Sequence, residues 1–563
     1  MSIFYLKLFA FVILFLPAPF FAQLKPGLQS LAEEFWNWRS IHQPSSMDDI
    51  PRIERPDNWK PDFSPAAMKS ILEDYSKFKN RLAKLDRSGW SRKDSVDFLC
   101  LRSAVERVNW EMNYLRSPFK NPDFYVQQTL GAFYELLVQN IPFSENRINN
   151  LLSVLNSFSS TIKSGKENLT EPAASFAKIA LDNLDGVDKK LFEVSARLKD
   201  KIGHKYYSEI ETAFKNAAAS LIDYRNWLAA KLPEMKNDFR ISNGAYLFFL
   251  KNIALIPYSP EEILRIGEME FDRANFFESI EKNRKTISPK VFATVEREIE
   301  QAEIDEKSIR DFIRRNNLFS IPENLSHYRL IKTPDYLSPL TFIGESDDFT
   351  SEKRLDQDAV RYTVDPDSNL SFFPLSIAKD PRPVIVHEGI PGHYFQLAMS
   401  WRNSDPVRRH FIDSGSNEGI GFYVEEMLLQ AGLFDDRPFG REIIYSFMRL
   451  RALRVAADIN LSAGNFSIEQ TADYLEKSVP MNKKYAEESA YFYAYNPGQA
   501  ISYQIGKHQI LNFLNDAKII LGSRFNLKNF HDFLIENGNV PISLLRWEYL
   551  GLRNEINQFF DNQ

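Results

Sequence analysis

The chain has 563 residues, 44% of them hydrophobic and 13% aromatic, enough to bury a large core. A formal charge of −6 argues against a general nucleic-acid binder. Cys100 is the single cysteine, so no intramolecular disulfide can form and stability has to come from packing.

Residues 1–22 read as a secretory signal. Lys7 gives a weakly positive start, residues 8–16 are unbroken apolar, Pro17-Ala18-Pro19 breaks the run, and Ala22 precedes Gln23. The apolar run is short for a spanning helix. No cysteine stands near its end, so no lipid attachment is expected there, and no later run is long and apolar enough to cross a membrane. The expectation is export, to a periplasm or beyond, with no stable membrane insertion after signal removal.

Residues 23–563 hold no Gly/Ser linker, low-complexity tract or internal repeat, and read as one large, mainly α domain. Residues 43–65 are rich in Pro and Asp, but Ile50, Ile53, Trp59 and Phe63 interleave the prolines, which predicts an ordered irregular segment. Ser64-Pro65 opens a helix toward Ile71 and Leu72. A later amphipathic helix carries Cys100 and buries it. Helical patterns fill 146–164, 172–202, 206–232 and 441–457. Ser259-Pro260-Glu261-Glu262 is a helix start with Ser as cap and Pro at the first helical position. Ser467-Ile468-Glu469-Gln470 is another. Strand signals are few, at 328–331 and 341–343. Asp347-Asp348 and Asp365-Pro366-Asp367 read as isolated acidic turns, not a calcium loop.

The most informative stretch is His387-Glu388-Gly389-Ile390-Pro391-Gly392-His393, followed by Asn417-Glu418-Gly419. Two imidazoles, a carboxylate ligand and a spare carboxylate are the parts of a catalytic zinc site with one open position. In the simplest such motif the histidines stand at i and i+4. Here they stand at i and i+6, nearly opposite sides of a regular helix. The helix must therefore be interrupted. Pro391 would clash with the carbonyl four residues back, that of His387, and Gly389 and Gly392 permit unusual dihedrals. The prediction is a helix carrying His387 and Glu388, a two-residue bulge at Ile390-Pro391, and a resumed helix over 392–401. Glu418 is predicted to open a helix marked by Ser414, Ser416 and Asn417 and running to Gly432. Glu425, seven residues on, shares the Glu418 face and is placed to accept a hydrogen bond from a ligand imidazole. The plain alternative for Glu425, and for Glu426, is a surface carboxylate.

These blocks resemble the bacterial family called domain of unknown function 885, whose members are similar to zincin metallopeptidases. Family sequences read His-Glu-Gly-x-Pro-Gly-His-x-x-Gln, here 387–396, then Glu-Gly-x-x-x-Tyr-x-Glu, here 418–425. A third block, Pro-Gly-Gln-Ala-x-x-Tyr-x-x-Gly, is here 497–506. Asn417-Glu418-Gly419 is also similar to the third-ligand block of aminopeptidase N-like gluzincins. The resemblance implies a large helical zincin-like fold: two lobes around a cleft, with a small β element near the motif helix. It implies one zinc ion per chain, on His387, His393 and Glu418. Glu388 would be the general base on the zinc-activated water. Tyr503, in the third block, would be the oxyanion donor, its plain alternative being a packed core residue.

Other candidates surround this set. Gln396 and Gln499 are candidates for substrate carbonyls, and Tyr423 and His508 for support beside the site. One of Arg449, Arg451 and Arg454 is a candidate for a peptide carboxylate. Part of 326–376 is expected to pair with substrate backbone as an edge strand. Two departures from the family pattern concern these outer contacts. Ser462 stands where a histidine four residues after Asp458 is usual, and residues 490–496 lack the usual arginine. No Gly-x-Ser-x-Gly elbow and no Walker-type loop points to another chemistry.

The resulting expectation is a zinc-dependent metallopeptidase acting on peptide substrates. Two alternatives stay open: an inactive peptide-binding protein on the same scaffold, and a zinc amidase acting on a non-protein or cell-wall amide. The intact Glu388 favours catalysis over capture.

Overall fold

Side-chain caps set where the helices start. Ser64, Ser91, Ser144, Ser259 and Ser467 each accept a hydrogen bond from the backbone N–H three residues on. Such a cap contributes about 1 kcal/mol. At Ser91, Ser259 and Ser467 the third helical residue returns the bond, completing a capping box. The computed structural model describes residues 26–46, 53–284, 287–344, 346–479 and 481–560, and they are mainly helical. The expected export segment 1–22 and Ile50 lie outside the described residues. Among those described, no helix is long and apolar enough to cross a membrane.

The patterns at 146–164 and 206–232 are the helices Glu145–Asn168 and Tyr207–Lys231. The pattern at 172–202 is two helices, Ala174–Asn183 and Val187–Leu198, because Gly186 turns the chain through a left-handed φ of 61° between them. Cys100 is buried in the helix Arg92–Asn109. Trp59 and Phe63 are buried, as the irregular segment before Ser64 requires.

A three-stranded sheet lies between two of the apolar cores. Its strands are β1 (Tyr328–Lys332), β2 (Asp347–Asp348) and β3 (Ala359–Thr363), in the order β1-β3-β2. β3 runs parallel to β1 and antiparallel to β2. Side chains alternate across it. Ala359 joins the core that holds the motif residues Val386 and Ile390, whereas Val360 and Tyr362 join the core of the helices Glu145–Asn168 and Tyr207–Lys231. Arg361 therefore shares the motif-facing side with Ala359.

Two expectations for this region are corrected. Residues 341–343 are not a strand: Ser338–Leu340 forms a 3₁₀ turn with Pro339 inside it, and the chain continues in turns. Asp347-Asp348 is not a free acidic turn but β2. Its carboxylates tolerate burial because Arg361 and the Tyr328 hydroxyl hold Asp347, while Arg354 holds Asp348.

The site is carried by four C-terminal helices: α1 (His393–Trp401), α2 (Ser414–Gln430), α3 (Phe439–Ala463) and α4 (Ser502–Leu521). α3 extends the pattern at 441–457 in both directions and ends at Gly464, whose φ is 76°.

Candidate metal centre

The motif interrupts its helix where the sequence requires it. A π-helical turn, Ile385–Gly389, carries His387 and Glu388. Ile390 is extended, the Ile390-Pro391 bond is cis, and α1 begins at His393. The chain folds back so tightly that a Cβ on Gly392 would overlap the His387 carbonyl oxygen and stand 2.6 Å from that of Val386. Only glycine fits there. The detour brings His393 round to the side that His387 faces, and the ring centroids are 4.5 Å apart.

Both imidazoles meet Glu418. Nε2 of His387 and Nε2 of His393 each lie 3.3 Å from Glu418 Oε2, and all three residues are buried. Donors about 2.1 Å from one ion at tetrahedral angles stand about 3.4 Å apart, so the spacing suits zinc. Among the described residues, Glu418 Oε2 makes no regular hydrogen bond and is faced by these two imidazole nitrogens, a setting that a shared cation would satisfy. The electrostatics agree. Burial pushes Glu418 up, but the two histidines outweigh it and hold the carboxyl well below the usual carboxylate range. Burial and Arg451 push His387 down, but Glu425 and Glu418 outweigh them and raise it to about 9. Two buried carboxylates facing two imidazoles make a pocket that favours positive charge at its centre. The donor set fits a metal ion, and zinc foremost.

Glu425 sits where its spacing from Glu418 put it. Nδ1 of His387 lies 2.7 Å from Glu425 Oε1, and Arg451 donates to Oε2 at 2.8 Å. Arg451 also stands 3.2 Å from His387 Nδ1, but a guanidinium only donates. Glu425 is thus the acceptor within reach of an Nδ1 proton, and a metal bound beside Glu418 would take the lone pair of Nε2.

α2 is shaped to hold the rings. Asp413, not one of the expected serines, caps it by accepting from Ser416 N–H. A Cβ on Gly421 would lie 2.8 Å from His387 Cε1 and 2.9 Å from His393 Cε1, so glycine leaves the room both imidazoles occupy. α2 and α4 cross closely: a Cβ on Gly419 would be 2.6 Å from Gly506 Cα, and one on Gly506 would overlap the Gly415 carbonyl. This crossing brings Tyr503 to the site. Its ring lies parallel to that of His387, centroids 6.3 Å apart, with the Arg454 guanidinium 4.7 Å from its centre.

The group opens on a cavity of about 740 Å³, whose walls include Glu388, Tyr503, Arg361 and Phe349. Glu388 keeps 23% of its side chain exposed there. Phe349 stands edge-on to His393, centroids 6.4 Å apart.

Other predicted residues are placed elsewhere. The Tyr423 hydroxyl pairs with His531 Nε2 at 2.8 Å, and His508 lies 3.0 Å from the Asn512 amide; neither lines the cavity. Gln396 is fully buried between Ser416 and Asn417, where it ties α1 to the start of α2. Gln499 accepts from the Ser414 hydroxyl and lines a smaller cavity of about 70 Å³. Arg449 pairs with Glu278 at 3.2 Å, so of the three arginines Arg451 and Arg454 reach the large cavity. Asp458 accepts from the backbone N–H groups of Gly498 and Ala500 and holds the third block against α3. Sequence reasoning missed Arg361 and Asp347, which no local motif marks.

Two solved structures share this fold. One is a putative lipoprotein of unknown function from Shewanella oneidensis, at 16% identity and a TM-score of 0.69, covering 92% of this chain and 98% of its own. The other is a putative lipoprotein from Colwellia psychrerythraea, at 16% identity and a TM-score of 0.71, covering 93% and 96%. At that identity the likeness shows the fold alone. No curated protein matches the sequence. The family described as "Bacterial protein of unknown function (DUF885)" matches residues 51–313 and 380–548, and to that family this chain belongs.

Proposed function

We propose that the protein is an exported, zinc-dependent peptidase. One observation carries the reading: His387 Nε2, His393 Nε2 and Glu418 Oε2 converge at the wall of a large cavity that Glu388 also faces. Zinc held by these three would supply a Lewis acid and an acidified water at its open position. Glu388 then takes a proton from water in the cavity and returns it to the leaving nitrogen. Tyr503, on the same wall and parallel to the His387 ring, is the phenol assigned to donate to the oxyanion developing on the scissile carbonyl.

An extended peptide has a natural place to lie. β2 pairs with β3 along one edge, and Asp347 and Phe349, in and just after it, line the cavity. Backbone pairing along its other edge would orient a substrate. Export is supported by the signal-like residues 1–22 and by the two similar structures being putative lipoproteins.

Metal analysis of zinc-loaded, dialysed protein, joined to product analysis from a mixed peptide library, tests the reading. About one zinc per chain and defined cleavage products are expected, with Glu388→Gln keeping its zinc and losing several orders of magnitude in turnover. Wild-type protein that holds no metal, or holds it and cleaves no peptide, ends the peptidase reading.

A further inference from the structure

We infer that Arg361, a residue outside the three motif blocks, is a positioning residue for Glu388; the inference rests on the peptidase reading of the site. Glu388 stands at the end of its own helical turn. Gly389 ends the turn and Ile390 is already extended, so the helix breaks directly after Glu388. A general base has to be kept within about 0.5 Å of its productive place. Support must therefore come from another element.

The sheet supplies it, at two points. Arg361 Nη1 lies 3.7 Å from Glu388 Oε1. The Tyr328 ring packs on the motif turn, where a Cβ on Gly389 would stand 2.7 Å from it. These two contacts are linked. The Tyr328 hydroxyl donates to Asp347 Oδ1 at 2.7 Å, and Asp347 Oδ2 pairs with Arg361. Asp347 is also the register partner of Arg361 across β2 and β3. Arg361 is thus fixed from both sides: it sits on the central strand, and its guanidinium is anchored by a buried carboxylate. What remains free to vary is Glu388, and the fixed charge draws it.

The separation matters to the role. At 3.7 Å the contact is an ion pair without a short hydrogen bond. The charge orients the carboxylate while leaving its lone pairs available for a proton. The family match stops at 313 and resumes at 380, so this sheet lies outside the matched residues.

A double-mutant cycle with Glu388→Gln tests the inference. Arg361→Ala alone leaves the buried Asp347 carboxylate without its partner and invites misfolding, so the working variant is Arg361→Gln with Asp347→Asn. In zinc-loaded protein it should lower kcat about a hundredfold, as misplacement by about 1 Å does, with KM, zinc content and melting temperature little changed. Arg361→Lys should restore part of the rate. In the Glu388→Gln background the same pair should cost nothing further, because Arg361 acts only through Glu388. An equal loss in both backgrounds would give Arg361 an independent role and overturn the inference, as would an unchanged kcat. Crystal structures of the zinc-loaded wild type and double variant supply a readout that needs no activity. A Glu388 carboxylate that moves away from the sheet supports the inference; one that stays in place overturns it, even in a protein that cleaves nothing and so has lost the peptidase reading.

Discussion

Nδ1 of His387 lies 2.7 Å from Oε1 of Glu425, a carboxylate with no exposed side-chain surface. The pair orients the ring of a candidate metal ligand. Nδ1 faces Glu425, Nε2 faces Glu418, and Arg451 holds the other oxygen of Glu425. A buried glutamate outside the candidate ligand set would thus govern how well a metal is held.

Glu425→Gln should weaken zinc binding by about 10- to 100-fold, the usual cost of losing such a partner. The amide keeps the shape and one acceptor for Arg451, so the fold should survive. Competition against a chromogenic chelator measures the affinity. An unchanged value would mean that Glu425 does not set how His387 binds zinc.

Gly421→Ala should also weaken zinc, by a different route. The new methyl would press on both imidazoles, 2.8 and 2.9 Å from their Cε1 atoms. Alanine is the better helix former by about 1 kcal/mol, so α2 itself gains. The expected outcome is poorer zinc affinity, with a metal-free melting temperature lowered less than overpacking alone would lower it, because the helix gain offsets part of the cost. Gly506→Ala should do the reverse of this separation and lower the melting temperature outright, because its methyl overlaps the Gly415 carbonyl.

The convergence of His387, His393 and Glu418 was legible in the sequence because each side chain's direction follows from local geometry. His387, Pro391, Gly392 and His393 dictate an interrupted helix, and seven residues from Glu418 to Glu425 come within about 20° of two full turns. Five residues do not: they turn the side chain about 140° away. That is why Tyr423 faces His531 rather than the ligands, and why His508 leaves the face of Tyr503. The sheet was half legible. β1 announced itself by its apolar alternation, but β2 is two aspartates whose burial depends on Arg361, Arg354 and Tyr328. No window of sequence contains those partners, so Arg361 beside Glu388 could be found only in the fold. Glycines 419 and 506 matched motif positions without a stated reason; the helix crossing supplies it.

The cap of α2 predicts a pH dependence. Burial pushes the Asp413 carboxyl up to about 7, and the Ser416 N–H and Arg107 offset this only in part. The folded state therefore binds this proton more tightly than the unfolded state does. Stability from this group is full below about pH 4 and is lost as pH rises toward 7, at about 1.4 kcal/mol per unit. Asparagine caps as well as aspartate. Asp413→Asn should thus equal the wild type near pH 4 and exceed it above pH 7. Urea unfolding in chelator at both pH values reads the difference; parallel wild-type and variant curves would show that Asp413 does not titrate in this range.

Tyr503→Phe separates chemistry from packing. The Tyr503 ring lies within 10° of parallel to that of His387, with the guanidinium carbons of Arg451 and Arg454 at 5.5 and 4.7 Å from its centre. Phenylalanine preserves that ring and its contacts and removes the hydroxyl alone. If the hydroxyl donates to the transition-state oxyanion, kcat should fall about a hundred- to a thousandfold while KM stays nearly constant. Zinc content should not change, since Tyr503 is not among the three ligands. If the hydroxyl serves packing instead, the melting temperature should fall and the rate should hold. Measuring kcat, KM, zinc and melting temperature on one preparation distinguishes the two. A fully active, zinc-loaded variant would move the oxyanion role to another group on the cavity wall, and Arg454, whose guanidinium already lies over the same ring, would be the next to change.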